Sequence, residues 1–138
     1  MLYMLDTDIS SYIIRQRPLA VLQMLQQKAG QKDELVISSI TYAELRLGAQ
    51  RSSVASKQHA LIDGFCHRLS NVLPWDAQAA DAFAKLQAEL LTSGAIIGTN
   101  DAMMAGHALS VEATLVTNNQ RHFSRVSGLK LENWAMGL

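Results

Sequence analysis

Cysteine is almost absent from this chain, and so is any excess of charge of either sign. A single cysteine, Cys66, among 138 residues excludes an internal disulfide framework and any zinc site built on paired cysteines. Lysine plus arginine and aspartate plus glutamate number 12 each. This balance counts against a tight, non-specific grip on nucleic acid, but not against local contacts with phosphate.

Long hydrophobic runs are also missing. No apolar stretch approaches the roughly 20 residues that a membrane-spanning helix needs. Residues 1–6 lack the basic region and the apolar stretch of roughly 7–15 residues that mark a secretory signal. Together with the single cysteine, these absences predict a reducing, cytoplasmic location.

The length and the hydrophobic pattern predict one α/β domain over residues 1–138. Domains commonly span roughly 100–200 residues, and 49% apolar with 17% charged residues is typical of a globular core. Short apolar runs, which predict strands, alternate with helical spacings, so we expect a mostly parallel sheet with helices on both faces. The predicted strands are residues 2–5, 35–37, 72–73, 113–117 and 129–131, and the predicted helices are 8–14, 18–30, 41–49, one from 54 onward, 76–94 and 100–110.

An acidic pair follows the first predicted strand directly. Asp6 ends the apolar run from Leu2 to Leu5, and Asp8 comes two residues later. The carboxyl edge of a parallel sheet is where open α/β folds bind ligands. Asp6 or Thr7 could instead cap the next helix. Two carboxylates so close repel each other unless a cation is present, and this favours a functional site.

Two further acids fall in the first turns of predicted helices. Glu44 lies just beyond the second strand, but Thr41 and Glu44 also match the capping-box pattern, in which the glutamate bonds back to the N-cap amide. Asp101 follows Asn100 at a helix start, where the helix dipole alone favours an acid. Each residue taken alone therefore has a structural explanation.

Polar residues also close the fourth predicted strand, at Thr117 to Asn119, where an Asx turn is the structural alternative. These residues and the acids above all lie at strand ends or helix starts, so parallel strands bring several of them to one edge. Carboxylate, hydroxyl and amide oxygens suit Mg²⁺ or Mn²⁺. An ion there activates water and neutralises charge on a phosphate. The pattern predicts hydrolysis of a phosphodiester without a covalent protein intermediate.

Four segments resemble the motifs of PIN-domain nucleases, in particular those of the VapC toxins of bacterial toxin–antitoxin pairs. In chain order they are Leu5-Asp6-Thr7-Asp8, residues 37–48 (ISSITYAELRLG), residues 97–108 (IGTNDAMMAGHA) and residues 114–123 (TLVTNNQRHF). Residues 131–134 (LENW) resemble the family's usual end. The resemblance covers essentially the whole chain, with the motifs in the family's order and at its distances.

This resemblance implies a three-layer α/β/α fold and an endoribonuclease that uses metal-activated water. The family's metal ligands correspond to Asp6, Glu44 and Asp101, with Mg²⁺ as the metal and Mn²⁺ as a substitute. Its supporting hydroxyl corresponds to Thr117. Its fourth acidic position falls at or beside Asn119, where this chain has an amide, so Asn119 is assigned a supporting catalytic role. At residue 8 the family more often has asparagine, and the aspartate here either joins the site or caps a helix.

The resemblance also implies partners. Members of the VapC branch form homodimers and are held inactive by a VapB antitoxin, so we expect a cognate VapB-like antitoxin and a homodimer. Their RNA targets are structured, and several members cleave initiator tRNA. We therefore expect structured RNA, with tRNA as the leading class, as the substrate of a toxin that inhibits translation.

Two alternatives stay open at the level of sequence. A haloacid-dehalogenase-type phosphatase would use Asp6 as a nucleophile and Lys130 as its later lysine, but it leaves Glu44 and Asp101 unexplained. A catalytically weak PIN-like module would bind RNA or protein without cutting. The amide at Asn119, in place of an acid, keeps this second alternative open, whereas the presence of Asp6 and Asp101 counts against it.

Overall fold

A computed structural model of the chain describes residues 1–135, and a five-stranded sheet lies at its centre. The strands are β1 (Leu2–Leu5), β2 (Glu34–Ser38), β3 (Asn71–Leu73), β4 (Thr114–Val116) and β5 (Lys130–Glu132). They are hydrogen-bonded in the order β3-β2-β1-β4-β5, and every neighbouring pair is parallel. The predicted parallel sheet is confirmed.

Seven helices connect these strands within the described residues. They are α1 (Thr7–Arg15), α2 (Leu19–Gly30), α3 (Ser39–Gln50), α4 (Ala55–His67), α5 (Ala77–Ser93), α6 (Thr99–Ser110) and α7 (Gln120–Phe123). The sequence predicts six of them, but not α7, because four residues are too few to show a helical period. None of the helices within residues 1–135 is long and apolar enough to cross a membrane.

The strands divide the core into two layers because successive side chains point to opposite faces of the sheet. In β1, Tyr3 and Leu5 belong to one buried cluster and Met4 to the other. The first cluster includes Ile9 of α1, Leu25 of α2, Leu45 of α3 and Phe65 of α4. The second includes Leu86 of α5 and Met104 of α6. Helices therefore cover both faces, and the three-layer α/β/α prediction is confirmed.

The strand order turns back at β1, which lies between β2 and β4. The register pairs Leu5 with Val116 at the carboxyl ends of β1 and β4. One residue further on, the Asp6 amide donates to the Val116 carbonyl at 3.0 Å, and the Thr117 amide donates to the Glu132 carbonyl at 2.9 Å. The backbone therefore fixes Asp6 and Thr117 at the same edge, where the strand order reverses and open α/β sheets bind ligands.

Helices α5 and α6 meet at a point where only glycine fits. A Cβ atom added to Gly106 would lie 2.6 Å from the backbone nitrogen of Phe83. Gly106 is buried in the middle of α6. This close approach fixes α6 against α5 and so sets where the first turn of α6 meets the sheet edge.

Candidate functional site

Asp6 both caps a helix and lies at the sheet edge. Its Oδ1 accepts a hydrogen bond from the Ile9 amide at 2.8 Å, which makes it the N-cap of α1. The residue is only 6% exposed. The capping interpretation of Asp6 is therefore confirmed, and its position at the sheet edge is compatible with the predicted site role.

The electrostatic surroundings of Asp6 disfavour its negative charge. Burial is the largest cause, and repulsion from Asp8 and Asp101 adds to it; together they raise the pKa of Asp6 from 3.8 to about 6. Hydrogen bonding from the Thr117 hydroxyl and the Ile9 amide lowers the pKa but does not restore its ordinary value. None of the ion pairs found among residues 1–135 joins Asp6 to a lysine or arginine.

Glu44 reaches the same edge from α3. Its Oε1 accepts a hydrogen bond from the Thr7 hydroxyl at 3.0 Å. Partial burial raises the pKa of Glu44, repulsion from Asp101 and Asp8 raises it further, and the Thr7 hydrogen bond lowers it. The carboxylate is therefore held toward α1 and close to the other acids.

The capping box that Thr41 and Glu44 could have formed is absent from α3. The helix begins two residues earlier than predicted, because Ser38 is its N-cap and accepts from the Ile40 amide at 3.1 Å. Glu44 is therefore not needed for capping.

Asp101 lies in the first turn of α6, as predicted, but Asn100 does not cap this helix. The N-cap is Gly98, without a side-chain hydrogen bond. The Asp101 side chain is 33% exposed, and its Oδ2 lies 3.6 Å from Nδ1 of His122. Asp101 interacts electrostatically with both Asp6 and Glu44. The fold thus gathers the three predicted acids from β1, α3 and α6.

Thr117 and Asn119 reach the site from the turn after β4. Thr117 is buried, and its Oγ1 accepts a hydrogen bond from the Asn119 amide at 2.9 Å. Asn119 is the residue before α7 and forms no side-chain cap. Its Nδ2 lies 3.0 Å from Nδ1 of His122 instead. Thr117 is thus beside Asp6, whereas Asn119 is linked to Asp101 through His122.

Two residues of this cluster were missed by the sequence reasoning. Thr7 was considered only as a helix cap, yet its hydroxyl contacts both Glu44 and the Thr41 hydroxyl, the latter at 3.3 Å. His122 received no role, although it lies three residues after Asn119 within the fourth motif segment. Asp8 is exposed in the first turn of α1 and is not its N-cap, so the capping interpretation of Asp8 is wrong.

The donors at this edge fit a hard divalent cation. Carboxylate and hydroxyl oxygens are the preferred ligands of Mg²⁺ and Mn²⁺, and a cation would relieve the repulsion that raises the pKa of Asp6 and of Glu44. Within residues 1–135, no three His, Cys, Asp or Glu side chains already converge closely enough to hold an ion. The acids are therefore neighbours whose side chains would have to draw together to hold a cation.

A buried hydrogen bond connects the N-cap of α3 to α6. The ring Nδ1 of His107 in α6 shares a hydrogen bond with the Ser38 hydroxyl at 2.8 Å, and both residues are buried. Burial lowers the pKa of His107, so the neutral ring is favoured. This hydrogen bond thus holds the start of α3, which carries Glu44, against α6, which carries Asp101.

A parallel sheet with acids gathered at its carboxyl edge defines the PIN-domain class, and the PIN domain family model matches residues 3–129. Comparison with individual proteins narrows the class. The chain is 43% identical over 132 residues to Ribonuclease VapC2 of Haemophilus influenzae, covering 96% of this chain and 97% of that protein. It is 40% identical over 133 residues to the tRNA(fMet)-specific endonuclease VapC of Shigella flexneri, covering 96% and 98%. This chain belongs to the VapC family of PIN-domain proteins.

Solved structures agree with this assignment. The crystal structure of VapBC2 from Rickettsia felis, bound to a DNA fragment from its promoter, matches with a TM-score of 0.90 and 38% identity. The match covers 97% of this chain and 99% of that chain. The DNA-bound VapBC of Salmonella typhimurium matches with a TM-score of 0.88 and 37% identity, with coverages of 97% and 99%.

The phosphatase alternative is wrong. In addition to the family membership, the position of its required lysine argues against it. Lys130 pairs with Thr114 at the beginning of β4, whereas Asp6 and Thr117 follow the strand ends. In a parallel sheet these are opposite edges, so Lys130 lies at the edge away from Asp6.

Proposed function

We propose that this chain is the toxin of a type II toxin–antitoxin pair, acting as a Mg²⁺- or Mn²⁺-dependent endoribonuclease formed by one PIN-like domain over residues 1–138. The observation that carries the proposal is the buried carboxylate of Asp6, whose pKa is raised to about 6 beside two further acids. A fold keeps such a cluster of like charges at a cost, and perturbed acids of this kind mark functional sites.

The proposed roles follow from the contacts of each side chain. Asp6, Glu44 and Asp101 hold the cation. When bound, Mg²⁺ or Mn²⁺ activates water and neutralises charge developing on the phosphate. The Thr117 hydroxyl orients Asp6. Asn119 supports the turn that carries Thr117, because its backbone amide donates a hydrogen bond to Thr117 Oγ1.

The helix starts at this edge favour an RNA phosphate. The first turns of α1, α3 and α6 all begin there, and unpaired amides at helix N-termini give positive potential. Phosphate can thus approach a site whose side chains are acidic. The overall charge balance of the chain argues for binding that depends on RNA shape and on these local contacts.

The proposed substrate is structured RNA, with tRNA first and initiator tRNA in particular. Its support is the name of the Shigella flexneri relative, a tRNA(fMet)-specific endonuclease, at 40% identity. Cleavage of initiator tRNA would stop translation. The proposed inhibitor is a VapB-like antitoxin, supported by the VapBC complexes among the similar structures, and the proposed active form is a homodimer.

One other function has an observation in its favour. A PIN-like module that binds RNA without efficient cleavage would fit the amide at Asn119, where many PIN domains have a fourth acid. Asp101 still interacts electrostatically with Asp6 and with Glu44, and this supports the nuclease.

The test is cleavage of a tRNA pool by the purified chain, freed of any partner, with Mg²⁺, with Mn²⁺ and with chelator. Asp6→Asn removes the charge but keeps a good N-cap for α1, and it should lower cleavage by at least about a hundredfold. The matched control is Asp76→Asn, because Asp76 caps α5 in the same way, with its Oδ1 accepting from the Ala79 amide at 3.0 Å. It should cleave like the wild type.

Each result has a defined meaning. Discrete fragments that need both metal and Asp6 support the nuclease. If folded wild-type chain binds tRNA but cuts none of it with either metal, the binding module replaces the nuclease. If Asp6→Asn cuts as well as the wild type, the site assignment is wrong.

A further inference from the structure

His122 faces the acidic site from α7. Its ring Nδ1 lies 3.6 Å from Oδ2 of Asp101, and no other Lys, Arg or His nitrogen within residues 1–135 lies within 4.0 Å of a carboxylate oxygen of the three site acids. We propose that Nδ1 of His122 is a ligand of the cation held by Asp101, so that this site prefers Mn²⁺ to Mg²⁺. The inference rests on the proposed function, since it concerns the same cation.

The distance fits two atoms that share an ion. A hydrogen bond between nitrogen and oxygen spans roughly 2.7–3.2 Å, so 3.6 Å is too long for one. Two donors at right angles on an ion with bonds of about 2.1 Å lie about 3 Å apart. A small movement of either side chain therefore lets both reach one cation.

The ring already presents the nitrogen that a ligand needs. Asn119 Nδ2 lies 3.0 Å from the same Nδ1. In the tautomer that carries its proton on Nε2, Nδ1 has a free electron pair and accepts from this amide N–H. A cation would take over the electron pair that now accepts from the Asn119 amide.

The backbone around His122 is held by its neighbours, and the ring is still accessible to solvent. The next residue, Phe123, is buried in the core and only 1% exposed. The hydrogen bond from the Asn119 backbone amide to Thr117 Oγ1 holds the preceding turn. The His122 side chain is 43% exposed and that of Asp101 is 33% exposed. An ion can therefore reach both groups from solvent.

A nitrogen ligand changes which metal is preferred. Mg²⁺ takes oxygen ligands almost exclusively and gives up its water reluctantly. Imidazole suits transition metals, and Mn²⁺ also accepts the carboxylate oxygens of the other ligands. With an amide at Asn119, this site has one acid fewer than PIN domains that carry four. His122, three residues later, would supply a nitrogen as the fourth donor. We therefore expect this site to bind Mg²⁺ less well, relative to Mn²⁺, than a site with only oxygen ligands would.

Metal binding to the purified full-length chain tests the proposal without reference to RNA cleavage. Mn²⁺ is titrated by electron paramagnetic resonance of the free ion, and Mg²⁺ by calorimetry. The His122→Ala variant should bind Mn²⁺ at least about tenfold more weakly, with the Mg²⁺ affinity changed much less. The His122→Glu variant, with an oxygen donor, should bind Mg²⁺ more tightly and lose the preference for Mn²⁺.

Pulsed electron paramagnetic resonance of the Mn²⁺-loaded chain gives a direct signature. The wild type should show coupling of Mn²⁺ to an imidazole nitrogen, and His122→Ala should lose it. His67→Ala is the control, because His67 is exposed near the end of α4 and should leave the coupling intact. Absence of nitrogen coupling in the wild type, or its persistence in His122→Ala, overturns the proposal.

The Asp101→Asn variant separates this inference from the proposed function. If Asp101→Asn weakens both metals and His122→Ala weakens neither, the acidic metal site stands and His122 is not a ligand. If the wild type binds neither ion, or Asp101→Asn binds both as the wild type does, the proposed metal site itself fails. Circular dichroism of each variant checks that the fold is retained.

Discussion

Replacing Asp6 with asparagine should stabilise the metal-free protein, although it should abolish cleavage. The substitution removes the negative charge and keeps a side-chain oxygen that can accept from the Ile9 amide at the N-cap of α1. Asparagine and aspartate are about equally good N-caps. The change in stability should therefore report mainly the charge.

The size of the effect follows from the raised pKa of Asp6. The pKa rises from 3.8 to about 6, with burial as the largest cause, and each pKa unit corresponds to about 1.4 kcal/mol. Ionised Asp6 therefore costs the folded state about 3 kcal/mol. Asp6→Asn should recover about that free energy of unfolding, or somewhat less if the side chain shifts toward solvent.

The gain should depend on pH with a definite sign. Between pH 3.8 and about 6 the folded state holds the Asp6 proton more tightly than the unfolded state does. The Asp6 contribution to wild-type stability therefore falls as pH rises through this window. The difference between variant and wild type should be near zero below pH 4, grow through the window and level off above it.

Urea unfolding in the presence of chelator measures this difference, at pH values from 4 to 8. The control is again Asp76→Asn, since Asp76 caps α5 but is exposed, and it should change stability by less than about 1 kcal/mol without this pH dependence. If Asp6→Asn is no more stable than the wild type at pH 8, the electrostatic account of the site is refuted.

Three other substitutions test the contacts that build the site. Gly106→Ala should destabilise the fold by about 1–3 kcal/mol in urea unfolding, because its Cβ would lie 2.6 Å from the Phe83 backbone nitrogen. Ser38→Ala should cost about 1–3 kcal/mol in the same assay, because it removes the α3 N-cap and leaves the His107 ring nitrogen unpaired. Thr7→Val should lower kcat/KM for tRNA cleavage roughly tenfold with the melting temperature nearly unchanged, because only the hydroxyl that donates to the site glutamate is lost.

Each of these has its own control. Gly48→Ala places the same methyl group in α3 with nothing within 4 Å, so it should not destabilise the fold, and equal losses at both glycines would contradict the close-packing argument. Ser38→Thr keeps the hydroxyl and should retain most of the stability that Ser38→Ala loses. Thr7→Ser likewise keeps the hydroxyl, and cleavage as low as that of Thr7→Val would mean that the hydrogen bond to Glu44 is not what matters.

Hydrophobic periodicity predicted most of the fold because the apolar pattern of most elements can be read within the element itself. Three of the five strands, β1, β2 and β4, contain an apolar run that ends at a polar residue, and the helical spacing of Leu86 and Leu90 marks α5. The start of α3 was misplaced because Ser38 and Thr41 both have hydroxyls suited to an N-cap, and only the tertiary bond between Ser38 and His107 distinguishes them. β5 was predicted one residue early, at 129–131.

Sequence position alone predicted the acids but not their contacts. Asp6 and Thr117 each follow a strand, and parallel pairing then places them at one edge. The roles of Thr7 and His122 depend on how α1 packs near α3 and how α7 approaches α6, and no local pattern reports such distances. Short polar side chains at helix starts are usually helix caps. A threonine there that donates to a glutamate distant in sequence, as Thr7 does to Glu44, cannot be distinguished from a cap by sequence alone.

The cost of ionised Asp6 explains why its burial and the proposed cation belong together. A domain of this kind has only about 5–15 kcal/mol of net stability, so about 3 kcal/mol is a large fraction to lose at one carboxylate. An exposed aspartate at the same N-cap would avoid the part of this loss that comes from burial. A cation that binds the ionised form removes the repulsion from Asp8 and Asp101, and the free energy so released adds to its own affinity. Relief of the repulsion that weakens the metal-free fold therefore adds to the affinity of the proposed site for a cation.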